Sequence, residues 1–206
     1  SELGDDYSVG LCKYFQQAFE ALGGTVVSES FPTGNSDFSS YIANAKSQGC
    51  DVFFAPCSTD SAALIIDRAS SDGLTIPMLA GDTWDSNVIL NAIKGKDLKL
   101  YVTTFYQEGG NKEFDDGFKA WLNSDKTALA SNGGDDTIAA VSAMGFDAYH
   151  VALEALKAAG TTDPAAVNKA LWNVDYTGVS GEIKFDTTNG DAVRDSAYVK
   201  TANTQT

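Results

Sequence analysis

Residue types that carry catalytic and metal chemistry are scarce in this chain of 206 residues. It has one histidine, His150, and three cysteines, with no CxxC pair. These ligand types do not indicate a zinc site, and no Ser/His/Asp order surrounds His150. The absence of a GxGxxG or P-loop pattern disfavours a nucleotide-dependent enzyme. The sequence therefore predicts no cofactor, no metal site and no enzymatic activity.

The three cysteines leave their pairing open. Cys50 and Cys57 flank a predicted extended strand, which holds them too far apart for a disulfide. Cys12 and Cys50 fall on neighbouring predicted helices, so the sequence is compatible with a bridge between them and equally with small buried thiols. Cysteine usage does not define the redox compartment.

Positive charge is also scarce. The chain has 14 Lys and Arg residues against 28 Asp and Glu residues, a formal net charge of −14. Such a chain repels phosphate, which excludes a nucleic-acid partner held by the overall field. No apolar run is long enough to cross a bilayer. The hydrophobic content of 43% is enough for one large or two small cores.

The stretch Asp51–Asp85 carries the clearest pattern. Asp51–Ala55 and Ile76–Ala80 are short apolar runs typical of strands. Between them, Ser58–Asp72 has apolar residues at helical spacing, and Gly73 follows as a C-cap glycine. Two strands joined by one helix predict a right-handed βαβ unit with parallel strands. Because ligands of open parallel sheets bind beyond the carboxyl ends of the strands, the polar residues there are candidate site residues.

The rest of the chain changes character near residue 106. Strands and helices alternate before it, with a helix opening at Tyr7 and a strand at Thr25–Ser30, whereas helices dominate after it. The first residues, Ser1–Asp6, are polar and are predicted to be disordered. Two short strands, Glu182–Phe185 and Ala197–Lys200, are predicted to pair and close the chain.

Three segments resemble one known family. The segments SDFSSYIANAKSQGCDVFFAP, GDTWDS and TGVSGEIKFDTTNGDAVRDSAYVK are similar to the second half of type I periplasmic solute-binding proteins. Within that family the resemblance is strongest to the branched-chain amino-acid receptors of ABC transporters. It spans essentially the whole chain, and GDTWDS and SGEIKFDTTNGDA are its most specific parts.

The resemblance implies an α/β fold, a doubly wound parallel-sheet sandwich in a two-lobed clamshell, or Venus flytrap. Residues 1–104 with 186–206 would form the second lobe, and residues 105–185 the hinge crossover and a helical part of the first lobe. The N-terminal half of the family pattern and the first strand of the second lobe are missing, and nothing in Ser1–Asp6 is expected to replace that strand. Its sheet would then have a vacancy, be completed by a second chain or the missing N-terminal half, or borrow its own C-terminal strand.

The resemblance also implies a function. It predicts a non-enzymatic binding protein that captures a small amino-acid-like ligand and delivers it to the membrane permease of an ABC importer. The expected location is the periplasm or the outer face of a bacterial membrane, with a lipid anchor at the absent N-terminus. The alternatives are a ligand-sensing domain of the same fold in a regulator or receptor, and a small α/β enzyme, for which no catalytic constellation is found.

Six residues are candidates for ligand binding. By the resemblance, Asp82 would hold the substrate ammonium, because a cation taken out of water needs a paired anion; the alternative is a helix cap. Tyr7 would line the cleft or belong only to the core stripe of its helix. The other four also have structural alternatives, which are an N-cap for Ser58 and Thr59, packing for Trp84, and hinge packing for Tyr106.

Overall fold

The computed structural model describes residues 1–194 and 196–202. The helices are α1 (Asp6–Ala21), α2 (Ser39–Ser47), α3 (Thr59–Ser71), α4 (Asn87–Ile93), α5 (Lys112–Ser124), α6 (Lys126–Ser131), α7 (Ala140–Ala159) and α8 (Pro164–Leu171). The strands are β1 (Glu2–Leu3), β2 (Phe31–Pro32), β3 (Phe53–Phe54), β4 (Met78–Ala80), β5 (Leu100–Thr104), β6 (Asp175–Gly178), β7 (Gly181–Phe185), β8 (Ala192–Val193) and β9 (Tyr198–Thr201). A 3₁₀ turn spans Asp82–Trp84. None of these helices is long and apolar enough to cross a membrane.

The chain forms two compact units. The first contains Ser1–Thr103 and the described residues from Val199 on, and the second contains Thr104–Tyr198. The resemblance predicts that residues from 186 on belong to the same lobe as residues 1–104. In the structure β8 pairs with β7, and the residues up to Tyr198 belong to the second unit. The division into two lobes of a clamshell stays a prediction.

The first unit contains the predicted βαβ motif. Strands β3, β4 and β5 are parallel neighbours in a sheet of order β3-β4-β5-β9. Ser58 caps α3 by accepting a hydrogen bond from the Ser61 N–H at 3.4 Å, and Gly73 has the positive φ of +64° expected after the helix. One continuous core packs the helices against this sheet, with Ile66 and Met78 fully buried.

The predictions for the start of the first unit are wrong in two places. Ser1–Asp6 is ordered, since Glu2 and Leu3 pair in parallel with Phe31 and Pro32 as a separate two-stranded sheet. Thr25–Ser30 is not a strand, because among the described residues no other strand lies beside it. The C-terminal strand β9 lies beside β5, so it does not fill the position of a strand next to β3.

The second unit is mainly helical, with an antiparallel sheet in the order β6-β7-β8. The pair Asp163-Pro164 predicts a helix start, with a cap followed by proline at the first helical position, and Asp163 does cap α8 by accepting from the Ala166 N–H at 2.9 Å. Three predictions are wrong here. Residues 128–135, whose polar and glycine-rich sequence predicts a loop, include the end of α6, and β9 does not pair with β7. Trp121, which helical spacing predicts to face inward with Phe114 and Phe118, is 52% exposed.

Candidate functional site

Tyr7 and Asp82 meet at the carboxyl end of β4. Tyr7 lies in the first turn of α1, and Asp82 opens the 3₁₀ turn that follows β4. The Tyr7 hydroxyl donates to Asp82 Oδ1 at 2.7 Å, and both side chains are half-buried. Residues 75 positions apart are therefore joined where topology predicts a site.

Gly81 allows this approach. A Cβ atom at Gly81 would lie 2.2 Å from the Tyr7 hydroxyl oxygen and 2.9 Å from Leu11 Cδ2. Both distances are shorter than real Cβ contacts, so a side chain at position 81 would force the ends of the Tyr7 and Leu11 side chains to move. The close contact thus fixes the tyrosine against the aspartate.

The electrostatic environment leaves part of Asp82 available. Its Oδ1 is occupied by Tyr7, whereas Oδ2 has no hydrogen-bond partner and no cation within ion-pair distance in the described part of the chain. Burial raises the pKa of Tyr7, and the hydrogen bond to Asp82 and its negative charge raise it further. Tyr7 is therefore a neutral donor that holds one carboxylate oxygen and leaves the other exposed.

Two hydroxyl groups tie the loop after β3 to the loop after β4. Thr59 Oγ1 donates to the Thr83 carbonyl oxygen at 2.9 Å, and Thr83 Oγ1 donates to the Cys57 carbonyl oxygen at 2.9 Å. Ser58 and Thr59 thus lie beside the loop that carries Asp82. The N-cap alternative for Ser58 is present in the structure, but its hydroxyl proton is not used by that contact.

Glu2 is a part of this region that sequence reasoning missed. It is 3% exposed, and its Oε2 accepts from the Ser58 N–H at 3.0 Å. Its own N–H donates to Ser8 Oγ at 2.9 Å. No sequence signal identified it, because a strand of two residues has no periodicity that would reveal which side chains it buries.

Trp84 and Tyr106 lie away from solvent. Trp84 is 1% exposed in the core of the first unit, which favours the packing alternative for this residue. Tyr106 is 2% exposed in the second unit and donates to Asp115 Oδ1 at 2.6 Å, which likewise favours packing. Neither side chain offers a surface to a ligand in this structure.

The cysteines and acidic residues form no metal or redox centre in the part of the chain described. Cys12, Cys50 and Cys57 are all free, so the alternative of a Cys12–Cys50 bridge is not realised. Burial raises the pKa of the Cys57 thiol to about 12, which keeps it protonated. No group of three or more His, Cys, Asp or Glu side chains among these residues is arranged to bind a metal ion.

Comparison with solved structures gives matches along nearly the whole chain. The leucine-binding protein LivK of Thermotoga maritima is 31% identical with a TM-score of 0.75, and the match covers 97% of this chain and 55% of that one. The branched-chain amino-acid binding protein LivJ of Streptococcus pneumoniae, in complex with isoleucine, is 20% identical with a TM-score of 0.67, covering 97% and 58%. A solute-binding protein of an ABC transporter from R. palustris, in complex with benzoate, is 21% identical with a TM-score of 0.68, covering 91% and 50%.

These comparisons establish the fold and the family. The chain has the α/β fold of type I periplasmic binding proteins and spans about half the length of these relatives. No match was found among curated proteins. The family model described as periplasmic binding protein matches residues 3–205, and the proteins of this group are solute-binding proteins, not enzymes. This chain therefore belongs to the periplasmic binding protein family.

Proposed function

We propose that this chain supplies one wall of the ligand cleft in the solute-binding component of an ABC importer. The ligand is a small amino-acid-like zwitterion, and Asp82 binds its ammonium group. The observation that carries the proposal is the free Oδ2 of a half-buried carboxylate that has no cationic partner in the described chain. The relatives that bind leucine and isoleucine support the ligand class.

Asp82 has the chemistry that an ammonium group requires. A cation that leaves water loses its hydration, and a carboxylate replaces that hydration with charge-assisted hydrogen bonds. Tyr7 holds the carboxylate in place through Oδ1 and, because its pKa is raised, stays neutral while doing so.

Ser58 and Thr59 complete the polar lining. The Ser58 hydroxyl accepts from the Ser61 N–H and still has its own proton to donate, which suits a ligand carboxylate. Thr59 Oγ1 donates to the Thr83 carbonyl oxygen and still accepts, which suits the ammonium. The wall thus offers acceptors next to Asp82 and one donor at the start of α3.

The wider role follows from the family. In the complete protein, hinge closure over the ligand and delivery to a membrane permease would occur in the periplasm or at the outer face of the membrane, with a lipid anchor holding the protein there. Since this chain spans about half of its relatives, it presents one side of such a cleft. Binding by the chain alone is accordingly expected to be weak.

A titration of the isotope-labelled chain with L-leucine tests the proposal. Chemical-shift changes are expected at Tyr7, Gly81 and Asp82. Asp82→Asn should weaken binding by about thirtyfold, since a hydrogen bond to a charged group contributes about 2 kcal/mol. The matched control is Asp97→Asn, which removes the same charge from an exposed position before β5, at the opposite end of the strands.

Two results would contradict the proposal. Equal loss of affinity in Asp82→Asn and Asp97→Asn would reduce the effect to net charge. Tighter binding of benzoate than of leucine, unaffected by Asp82→Asn, would instead indicate a ligand without an ammonium group, like that of the R. palustris relative.

A further inference from the structure

A buried aspartate of α7 holds the turn between β6 and β7. The Asp147 carboxylate is fully buried and accepts from the Val179 N–H at 2.8 Å, the Ser180 N–H at 2.7 Å and the Ser180 hydroxyl at 2.5 Å. A Cβ atom at Gly178 would lie 2.3 Å from Asp147 Cγ, so the turn approaches the carboxylate this closely because residue 178 is glycine. Since a buried carboxylate is costly unless its oxygens are paired, these contacts fix the turn against the helix.

Arg194 contacts the same turn at two points. Its Nη1 donates to the Ser180 carbonyl oxygen at 2.8 Å, and its Nη2 donates to Ser180 Oγ at 3.0 Å. The Ser180 hydroxyl accepts from Arg194 and donates to Asp147, so it links the two oppositely charged side chains. A guanidinium group makes such a two-point contact because its donors lie in a fixed plane, whereas a lysine ammonium does not reproduce that geometry.

The guanidinium group of Arg194 also lies over an aromatic ring. Its Cζ atom is 5.2 Å from the centroid of the Phe105 ring, which is the geometry of a cation–π contact. Phe105 directly follows β5, at the point where the chain enters the second unit, and Arg194 lies shortly before Val199, where the chain returns to the first unit. Arg194 therefore joins the entry and exit segments of the second unit and, through Ser180, ties both to α7.

We propose that Arg194 is a positioning residue that clamps the entry and exit segments of the second unit into one rigid part. The clamp consists of Phe105, Arg194, Ser180 and Asp147, and all four belong to the second unit. Its consequence for ligand capture rests on the proposed function: when the binding protein closes over its ligand, the chain bends outside the clamp and not within it. The clamp itself is independent of any ligand.

Hydrogen exchange at the Val179 and Ser180 amides tests the proposal. Arg194→Gln removes the clamp and Phe105→Leu removes only its aromatic contact, so both variants should speed exchange at these two amides, by about threefold or more. Arg194→Lys keeps the charge but not the planar donors, so it should restore only part of the protection. The matched control is Arg68→Gln, which removes the other arginine of the chain from a partly exposed ion pair in the first unit and should leave both amides unchanged.

Three results would overturn the proposal. The first is exchange at Val179 and Ser180 that responds to neither Arg194→Gln nor Phe105→Leu. The second is a response to Arg194→Gln alone, because the clamp would then not hold the entry segment. The third is equal acceleration throughout the second unit, since Arg194 would then contribute only to global stability. All measurements use the chain without ligand, so their failure is distinguishable from a failure of leucine binding at Asp82.

Discussion

Each unit contains a tyrosine that donates to an aspartate, and the two pairs differ in what surrounds the carboxylate. In the second unit, Tyr106 donates to Asp115 Oδ1 at 2.6 Å and the Gly109 N–H donates to Oδ2 at 2.6 Å. Asp115 is 7% exposed, so both of its oxygens are satisfied inside the protein. In the first unit, Asp82 is half-buried and only Oδ1 is occupied, by Tyr7.

The difference separates a structural pair from a pair that can bind. A buried carboxylate with filled hydrogen bonds stabilises a fold and has nothing left for a ligand. A carboxylate that accepts a hydrogen bond at one oxygen and is exposed at the other is held in position and still has one oxygen free to accept from a ligand. We therefore propose different roles for the two aspartates, and the number of occupied carboxylate oxygens is the feature that distinguishes them.

The largest expected effect is on stability in the second unit. Asp115→Ala should lower the free energy of unfolding by about 3 kcal/mol, because it leaves the buried Tyr106 hydroxyl without its acceptor and also removes the hydrogen bond from the exposed Gly109 N–H. Asp82→Ala should cost at most about 1 kcal/mol, since water reaches the Tyr7 hydroxyl there. Urea denaturation combined with hydrogen exchange resolved by unit measures both, and equal losses would contradict the comparison.

Gly81→Ala sharpens the comparison without changing any charge. The new Cβ would clash with the Tyr7 hydroxyl, so we expect a loss of about 2 kcal/mol and separation of the Tyr7–Asp82 pair. Gly110→Ala is the matched control beside the other tyrosine, where the nearest Tyr106 atom would be 3.5 Å away and the nearest backbone atom, Gln107 O, 3.0 Å away. Thermal unfolding and the tyrosine NMR signals report the result, and an unchanged Tyr7 signal in Gly81→Ala would refute it.

The smallest expected effect is a pH dependence that both pairs share. Burial, then the neighbouring aspartate, raises the pKa of Tyr7 and of Tyr106 in the folded chain. The unfolded chain loses these protons above about pH 10, whereas the folded chain keeps them, so the free energy of unfolding falls as the pH rises past that value.

Denaturation series across this alkaline range test the dependence. Tyr7→Phe and Tyr106→Phe should each make the free energy of unfolding fall less steeply with pH, because each removes one group whose proton the folded chain retains. Tyr14→Phe, at a position that is 65% exposed, is the control and should leave the slope unchanged. Identical slopes in all three variants would contradict the assignment.

Much of the fold was predictable because its signals are local. The periodicity of α3, its Ser58 cap, Gly73 and the Asp163 cap all lie within a few residues of the structure they specify. The strand near Ser1, and the lack of one at Thr25–Ser30, were not predictable, because a strand depends on a partner far away in sequence. A segment of two residues such as β1 also carries no periodic pattern.

The site was predictable only in outline. Topology predicted that Asp82 lies at the carboxyl end of its strand, whereas the contact with Tyr7 could not be derived from strand order, because β1, the strand before Tyr7, pairs with β2 in a separate sheet. The sequence could not show whether Trp84 and Tyr106 face solvent, since an aromatic residue in a loop or near a helix start can either line a ligand site or pack in the core. That distinction depends on three-dimensional packing, which buries both side chains.

The central claim is that Asp82 recognises an ammonium group. The most direct measurement compares titrations of the labelled chain with L-leucine and with 4-methylpentanoate, which has the same carboxylate and side chain but no amino group. Leucine is expected to change the chemical shifts of residues 81–83, and 4-methylpentanoate is expected to bind there with an affinity at least about tenfold lower. Equal binding of the two compounds at these residues would contradict it.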